Sequence, residues 1–489
     1  MNLEFTLRLQ NTASEQFESG QASFPGTIWP LSAYQHPMAK IRQSRVGRIR
    51  ANSAKLYSLA LALSFFLGWP EPAAAYAVLT HEAIIDNTWK THIRPLLLQR
   101  FPNATHDQLK EAHGYAYGGA IIQDLGYYPH GNHFFSNLTH YVRSGDFILA
   151  LLRDSKDLND YAFALGALAH YPSDNDGHRI ATNRAVPILY AKLQRRYGDR
   201  VTYEEDPLAH VKTEFGFDVL EVARGRYAPD DYHNFIGFGI SVPLLEQAFQ
   251  ETYGLELKKV LDDEDKVLAS YRHDVSQLIP KATRVAWSLK KDEITSDQPG
   301  MTKQKFLFNL SRASYQKHWG KNYQPPTAGE NFVAFLVRIL PKIGPLKVLQ
   351  LRTPTPETER MFEASFNATL DSYRKLLQEV SEGKLDLPND NFDIGQTSGP
   401  GHYQLNDETH AELLDALAGQ NFAGVSPEIE TELLNYFSHS DAPYAIKRKP
   451  KEWAKLQVQL KRLKLAGPLE ATRRQETAIT NDKASARPS

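Results

Sequence analysis

Residues 162–178 read AFALGALAHYPSDNDGH. The first eight are small and apolar, the composition of a helix that packs closely into a core. They run directly into His170, Asp174, Asp176 and His178. Ionisable groups this dense behind a core-seeking helix read either as a polar cap or as part of a metal site. His170 and Asp174 are spaced i,i+4, as are Asp174 and His178, and that spacing stacks side chains one turn apart on one helix face. Pro172 lacks the N–H that a helix interior needs, so the apolar helix is expected over 157–170, with irregular backbone after it. Asp176-Gly177 reads as turn chemistry.

Outward from this stretch the periodicity stays helical. Thr105-His106-Asp107-Gln108 has the form of a capping box, followed at helical spacing by Leu109, Ala112, Ala116 and Ala120. Asp206-Pro207 reads as N-cap and first turn of a helix reaching about Gly225. Further on, Thr355-Pro356-Glu357 opens a helix whose apolar face is Phe362, Phe366, Leu370, Tyr373, Leu377 and Val380, closed by Gly383. Ser426-Pro427-Glu428 opens a shorter one, and LPNDNFDIGQTSGPGHYQLND, residues 387–407, reads as loop between them. Strand-like alternation is scarce. The expected fold is all-α, with one helical domain over 76–290 and a boundary near TSDQPG at 295–300. A further helical region of unassigned role follows over 291–467, and a polar, disordered tail over 468–489.

The N-terminal part carries an export pattern. Residues 38–55 hold six Lys and Arg without an acid, LYSLALALSFFLGW is apolar, and PEPAAA supplies a breaker and small residues. An apolar run of 14 is short of the roughly 20 residues that span a bilayer. A cleavable signal is therefore expected over 38–75, cut after Ala75, with no transmembrane span in the mature chain and a secreted or periplasmic location. Residues 1–37 fit no signal, which makes Met38 an alternative start to Met1. Residues 1–75 are thus set apart as extension and signal peptide.

Composition narrows the chemistry. The chain of 489 residues is 42% hydrophobic with a net charge of −1, a globular balance without the basic excess of a nucleic-acid binder. Cysteine is absent, which excludes disulfides, thiolate metal sites and thiol nucleophiles. Any metal must be held by His, Asp, Glu or backbone groups. The candidates in chain order are His81, Asp124, His133, His170, Asp174, His178, His210 and Glu214. His210 and Glu214 again lie i,i+4 on the helix opened by Asp206.

Taken together, YAVLTH, an Asp ending a helix, His133-Phe134-Phe135, His-x₃-Asp with a following His, and His-x₃-Glu resemble the zinc-dependent phospholipase C and S1/P1 nuclease family. The resemblance covers 76 to about 290. It implies an all-α catalytic domain with three zinc ions in a cleft. It also implies that the mature N-terminal residue, here Tyr76 in place of the usual Trp, binds zinc through its amino and carbonyl groups. Asp174 would bridge two zincs, one completed by Asp124, His133 and His170 and the other by His81 and Tyr76. His178, His210 and Glu214 would hold the third. Asp124 is the candidate catalytic residue, as general base or as the group that orients water.

Such a site is suited to phosphodiesters. Paired divalent ions neutralise the attacked phosphoryl group and lower the pKa of a bound water, and His/carboxylate ligands with an open position mark catalytic zinc. The expected activity is hydrolysis of a phospholipid head-group ester at a membrane surface. The alternatives are a single-strand nuclease and a non-catalytic metal-stabilised scaffold. Tyr127, Tyr128, Phe134 and Phe135 are candidates to stack bases or to line a lipid or choline pocket.

Overall fold

The computed structural model describes residues 78–273 and 352–466, apart from 129, 225–238, 262, 439–440, 444–445 and 448. All of these belong to one compact unit, Ser64–Ser489. The signal segment, Tyr76, the 295–300 boundary and the polar tail lie outside the described residues.

The architecture is all-α, as expected. The helices that matter here are α1 (Val78–Thr88), α2 (His106–Gly119), α3 (His133–Tyr141), α4 (Ser144–Asp154) and α5 (Leu158–Asp176). They are followed by α6 (Pro207–Arg224), α7 (Val242–Tyr253), α8 (Pro356–Glu382), α9 (Gln404–Gly419) and α10 (Pro427–Tyr436). The only strand pairing among the described residues is a two-residue hairpin, in which Asp390 faces Thr397 and Asn391 faces Gln396.

Local sequence explains where the helices begin. The Thr105 hydroxyl accepts from the Gln108 N–H at 3.3 Å while the Gln108 side chain accepts from the Thr105 N–H at 2.9 Å, a reciprocal cap that starts α2. The Asp157 carboxylate accepts from two N–H groups, each at 2.9 Å, to start α5. Pro356 sits in the first turn of α8, which ends at Gly383 with φ of 66°.

The middle of the fold is α5. Every residue from Tyr161 to Asp176 is buried, the pattern of a helix with neighbours all round. Against it lies α2, seated through glycines. A methyl built on Gly166 would stand 2.1 Å from the Ala116 carbonyl oxygen, and one on Gly119 would stand 1.9 Å from that of Phe163. The two backbones are therefore in contact, a separation that only glycine permits.

Contrary to the expected end near 170, α5 runs unbroken through Pro172 to Asp176 and passes into a π-helical turn, Gly177–Thr182. Full burial holds the segment in place where an isolated helix would break. Asp176 is therefore the last α-helical residue, and its carboxylate accepts from Arg179 at 2.6 Å and Ser372 at 2.9 Å.

The C-terminal helices share this core. Phe362, Leu370, Tyr373 and Leu377 of α8 are buried in the same apolar cluster as α5, and the Tyr373 hydroxyl donates to the Leu165 carbonyl at 2.8 Å. Four such side chains, each contributing about 1.5–3 kcal/mol on burial, seat α8 firmly on the helix that carries the candidate ligands. Residues 387–407, expected to be loop throughout, contain the hairpin and the start of α9.

Candidate metal centre

The candidate ligands meet at the C-terminal end of α5. Asp174 is fully buried, and neither carboxylate oxygen has a hydrogen-bond partner. Three imidazoles face it instead. Its Oδ2 lies 3.2 Å from His170 Nε2 and 3.3 Å from His140 Nε2, and its Oδ1 lies 3.6 Å from His81 Nε2. The His81 ring stacks on that of His170 with centroids 4.7 Å apart. Asp124 closes the group from the 3₁₀ segment Ile122–Tyr127, with Oδ1 3.4 Å from His140 Nε2.

His178, His210 and Glu214 form a second cluster. Glu214 Oε1 lies 3.6 Å from His210 Nδ1 and 3.8 Å from His178 Nε2, and none of these three atoms has a hydrogen-bond partner. The π-turn explains why His178 leaves Asp174 for this cluster despite their i,i+4 spacing. Widening the turn rotates His178 off the His170–Asp174 face, a use of π geometry that recurs at functional sites.

Three sets of ligand atoms therefore stand within 4.8 Å of one another: His81, His170 and Asp174; Asp124, His140 and His170; and His178, His210 and Glu214. His170 belongs to two of them. The structure departs from the expected set at one position. His133 begins α3 on its exposed side and stays out of the clusters, with its ring edge against Tyr127. His140, two turns further along, takes the place expected of it. As the first helical residue, His133 follows the exposed Asn132 and points outward, whereas His140 lies among the buried Leu138, Thr139 and Tyr141. In the sequence both histidines adjoin apolar residues, Phe134 and Phe135 for one and Leu138 and Tyr141 for the other, so the fold and not the local sequence separates them.

Each of four rings is aimed by its other nitrogen. His140 Nδ1 donates to the Ser136 carbonyl at 2.7 Å and His170 Nδ1 to Ala120 at 2.9 Å. His178 Nδ1 donates to Phe392 at 3.0 Å and His210 Nε2 to Val201 at 2.6 Å. Donation outward leaves the inward nitrogen available to a cation, the arrangement that supports metal-ligating histidines.

Charge at the two clusters differs. Burial opposes a charge on His140, but Asp124 and Asp174 outweigh it and raise the His140 pKa to about 10. Burial likewise pushes Asp174 up, and His170 and His140 overcome it, leaving its carboxyl well below the ordinary range. In the second cluster burial prevails, raising Glu214 and lowering His210. Burial also lowers His81 to about 3, with His170 adding to the effect.

Unpaired buried carboxylates and imidazoles are costly, and divalent cations of the N/O-ligated type fit them. The aromatic residues expected to contact substrate lie inward. Tyr127, Tyr128, Phe134 and Phe135 are all buried, with Tyr128 against Tyr271 and Phe135 against Phe249. Only Tyr127 of these borders the centre, edge-on to His140.

Comparison with known proteins agrees with the family seen in the motifs. Residues 80–263 match the family model described as zinc dependent phospholipase C. The match takes in every ligand atom of the three sets and stops short of the C-terminal helices and the hairpin. No curated protein and no solved structure matches the chain.

Proposed function

We propose that this phospholipase C-like stretch hydrolyses a phospholipid head-group ester with three zinc ions. The observation that carries the reading is the orphaned donor set. Asp174, Asp124, His178, His210 and Glu214 each present a buried atom without a hydrogen-bond partner, inside a match to zinc dependent phospholipase C. Zinc bound there supplies Lewis acidity toward a phosphoryl oxygen and makes water acidic near neutral pH.

The chain's own residues divide the remaining work. Asp174 offers both oxygens at the junction of the histidines and so offsets the repulsion between neighbouring cations. Asp124, whose pKa burial raises, would accept a proton from water and return it. His178, His210 and Glu214 stand apart from Asp174 as a separate seat, suited to charge that develops on the departing alkoxide.

Phospholipid is preferred to single-stranded nucleic acid because the chain, at a net charge of −1, lacks the basic excess that tracks a phosphate backbone. Tyr128, Phe134 and Phe135 are committed to the core and serve neither base stacking nor a choline pocket. Export after cleavage at Ala75 fits a substrate outside the cytoplasm, and the freed Tyr76 amine would then join His81 at the first cluster. Among the described residues no helix is long and apolar enough to cross a membrane.

The test is zinc quantification on purified protein with paired assays on phosphatidylcholine vesicles and single-stranded DNA. Three bound ions and release of the phosphorylated head group are expected. Cleavage of DNA without lipid hydrolysis would transfer the reading to the nuclease branch. Full zinc with no turnover on either would leave a metal-stabilised scaffold.

A further inference from the structure

We propose that Asp393, far beyond the stretch matched to the family, is a positioning residue for the His178–His210–Glu214 cluster and that the 390–397 hairpin is a working part of the metal centre. The inference rests on the metal-binding reading above and deepens it.

Asp393 is 2% exposed. Its Oδ1 stands 3.5 Å from His178 Nδ1, the nitrogen turned away from the cluster, which also donates to the adjacent Phe392 carbonyl at 3.0 Å. Its Oδ2 accepts from the Tyr141 hydroxyl at 2.8 Å and from that of Tyr403. The Asp393 N–H donates to the Asn391 side chain at 3.0 Å, and its carbonyl accepts from Asn183 at 2.7 Å. A carboxylate held this firmly behind a ligand ring holds that ring in its tautomer and orientation.

The hairpin is fastened to the ligand helices on both sides. Phe392 N–H donates to the His140 carbonyl at 3.2 Å, the Ser144 hydroxyl donates to the Asp390 carbonyl at 2.6 Å, and the Tyr171 hydroxyl donates to the Asp390 carboxylate at 2.8 Å. Its turn presses on the end of α5. Gly395, with φ of 65°, leaves no room for a methyl, which would stand 2.4 Å from the Asn175 carbonyl oxygen. Asp393 could instead be a turn residue alone. Its turn-forming N–H contact would survive Asp393→Asn, while the charge behind His178 would not, which separates the two roles.

The experiment titrates zinc against a competing chelator in the full chain, for wild type, Asp393→Asn and Gly395→Ala, across pH 6 to 8. In both variants one of the bound ions is expected to weaken by about 10–100-fold, with the others unchanged. In Asp393→Asn its pH profile should also move, while the metal-free melting temperature stays near wild type. Unchanged affinity for every ion in Asp393→Asn would overturn the proposal. So would uniform weakening of all ions in step with lost metal-free stability. A wild-type chain that takes up no zinc would instead overturn the metal-centre reading itself.

Discussion

The two clusters reach the same donor chemistry by opposite electrostatic routes. Around Asp174 the metal-free protein holds charge, with an imidazolium at His140 against carboxylates that keep it protonated to about pH 10. Around Glu214 burial raises the acid and lowers His210, so both groups favour their neutral forms. A protonated ring stands in for a cation at the first cluster, whereas the second holds its proton on a neutral carboxyl and carries no positive charge. A metal arriving at the first must displace a proton from a salt-bridged ring; at the second it must draw one from a buried carboxyl. The first is therefore self-supporting without metal, and the second depends on the groups that aim it.

The sharpest way to break this contrast is Asp174→Asn. With the shared anion gone, hydrolysis should fall by more than the roughly 100-fold that loss of a supporting residue costs, and zinc content should drop by at least one ion. A steady-state assay beside metal analysis reads both. A variant that keeps its full zinc would move the junction of the cluster elsewhere.

Nearly as large an effect is expected at His140, and it separates this residue from its neighbour in sequence. His140→Ala should abolish tight binding of one ion, while His133→Ala, at an exposed helix start, should leave zinc content and turnover within about threefold of wild type. Reversed outcomes would restore His133 to the cluster.

The N-terminal amine gives a third test, confined to the first cluster. Protein beginning at Tyr76 should bind one ion more tightly than protein carrying Met-Ala ahead of it, because an amide nitrogen has no lone pair to offer and an amine does. Equal zinc content and turnover in the two forms would remove the amine.

A subtler effect concerns pH and the chelated protein. The folded pKa of His140 lies above its unfolded value, so the stability it contributes is complete below about pH 6.5 and is lost as pH rises toward 10. Glu214 acts in the same direction: its folded pKa is raised, so ionisation costs stability as pH rises above its unfolded value. The melting temperature of metal-free protein should fall between pH 6.5 and 10, and zinc should flatten that slope. A slope that zinc leaves unchanged would mean that these protons are not its competitors. The smallest effect belongs to Asp176→Asn, which touches Arg179 and Ser372 on the far side of the helix and should change turnover by less than about threefold.

Much of the all-α fold could be read in advance because its signals are local. The cap at Thr105, the proline after Thr355 and the glycine at 383 each mark a helix end through a group on the same segment. The ligand pairs His170/Asp174 and His210/Glu214 were visible for the same reason, since i,i+4 spacing is a short-range property. His140 escaped because a histidine in an apolar stripe resembles an ordinary core residue. Pro172 misled because burial from all sides, absent from any local window, holds the helix through it. Asp393 was invisible on both counts. Its meaning comes from His178, a partner more than 200 positions away, and its own surroundings read as turn.

The seat of α2 on α5 carries a consequence for how the protein tolerates change. Gly119 and Gly166 let the two helices touch, and Ala120, the next residue along, lends the carbonyl that steers His170. The aim of that ring is thus calibrated by the distance between two helix axes and not by its own segment. Gly166→Ala would act as a shim one methyl thick: the ring would travel with α5 while the carbonyl stayed with α2. Misalignment of a ligand needs only a few tenths of an ångström, far less than it takes to unseat a helix. Drift at these two glycines would therefore register first as falling ion occupancy, while circular dichroism still reported an intact bundle.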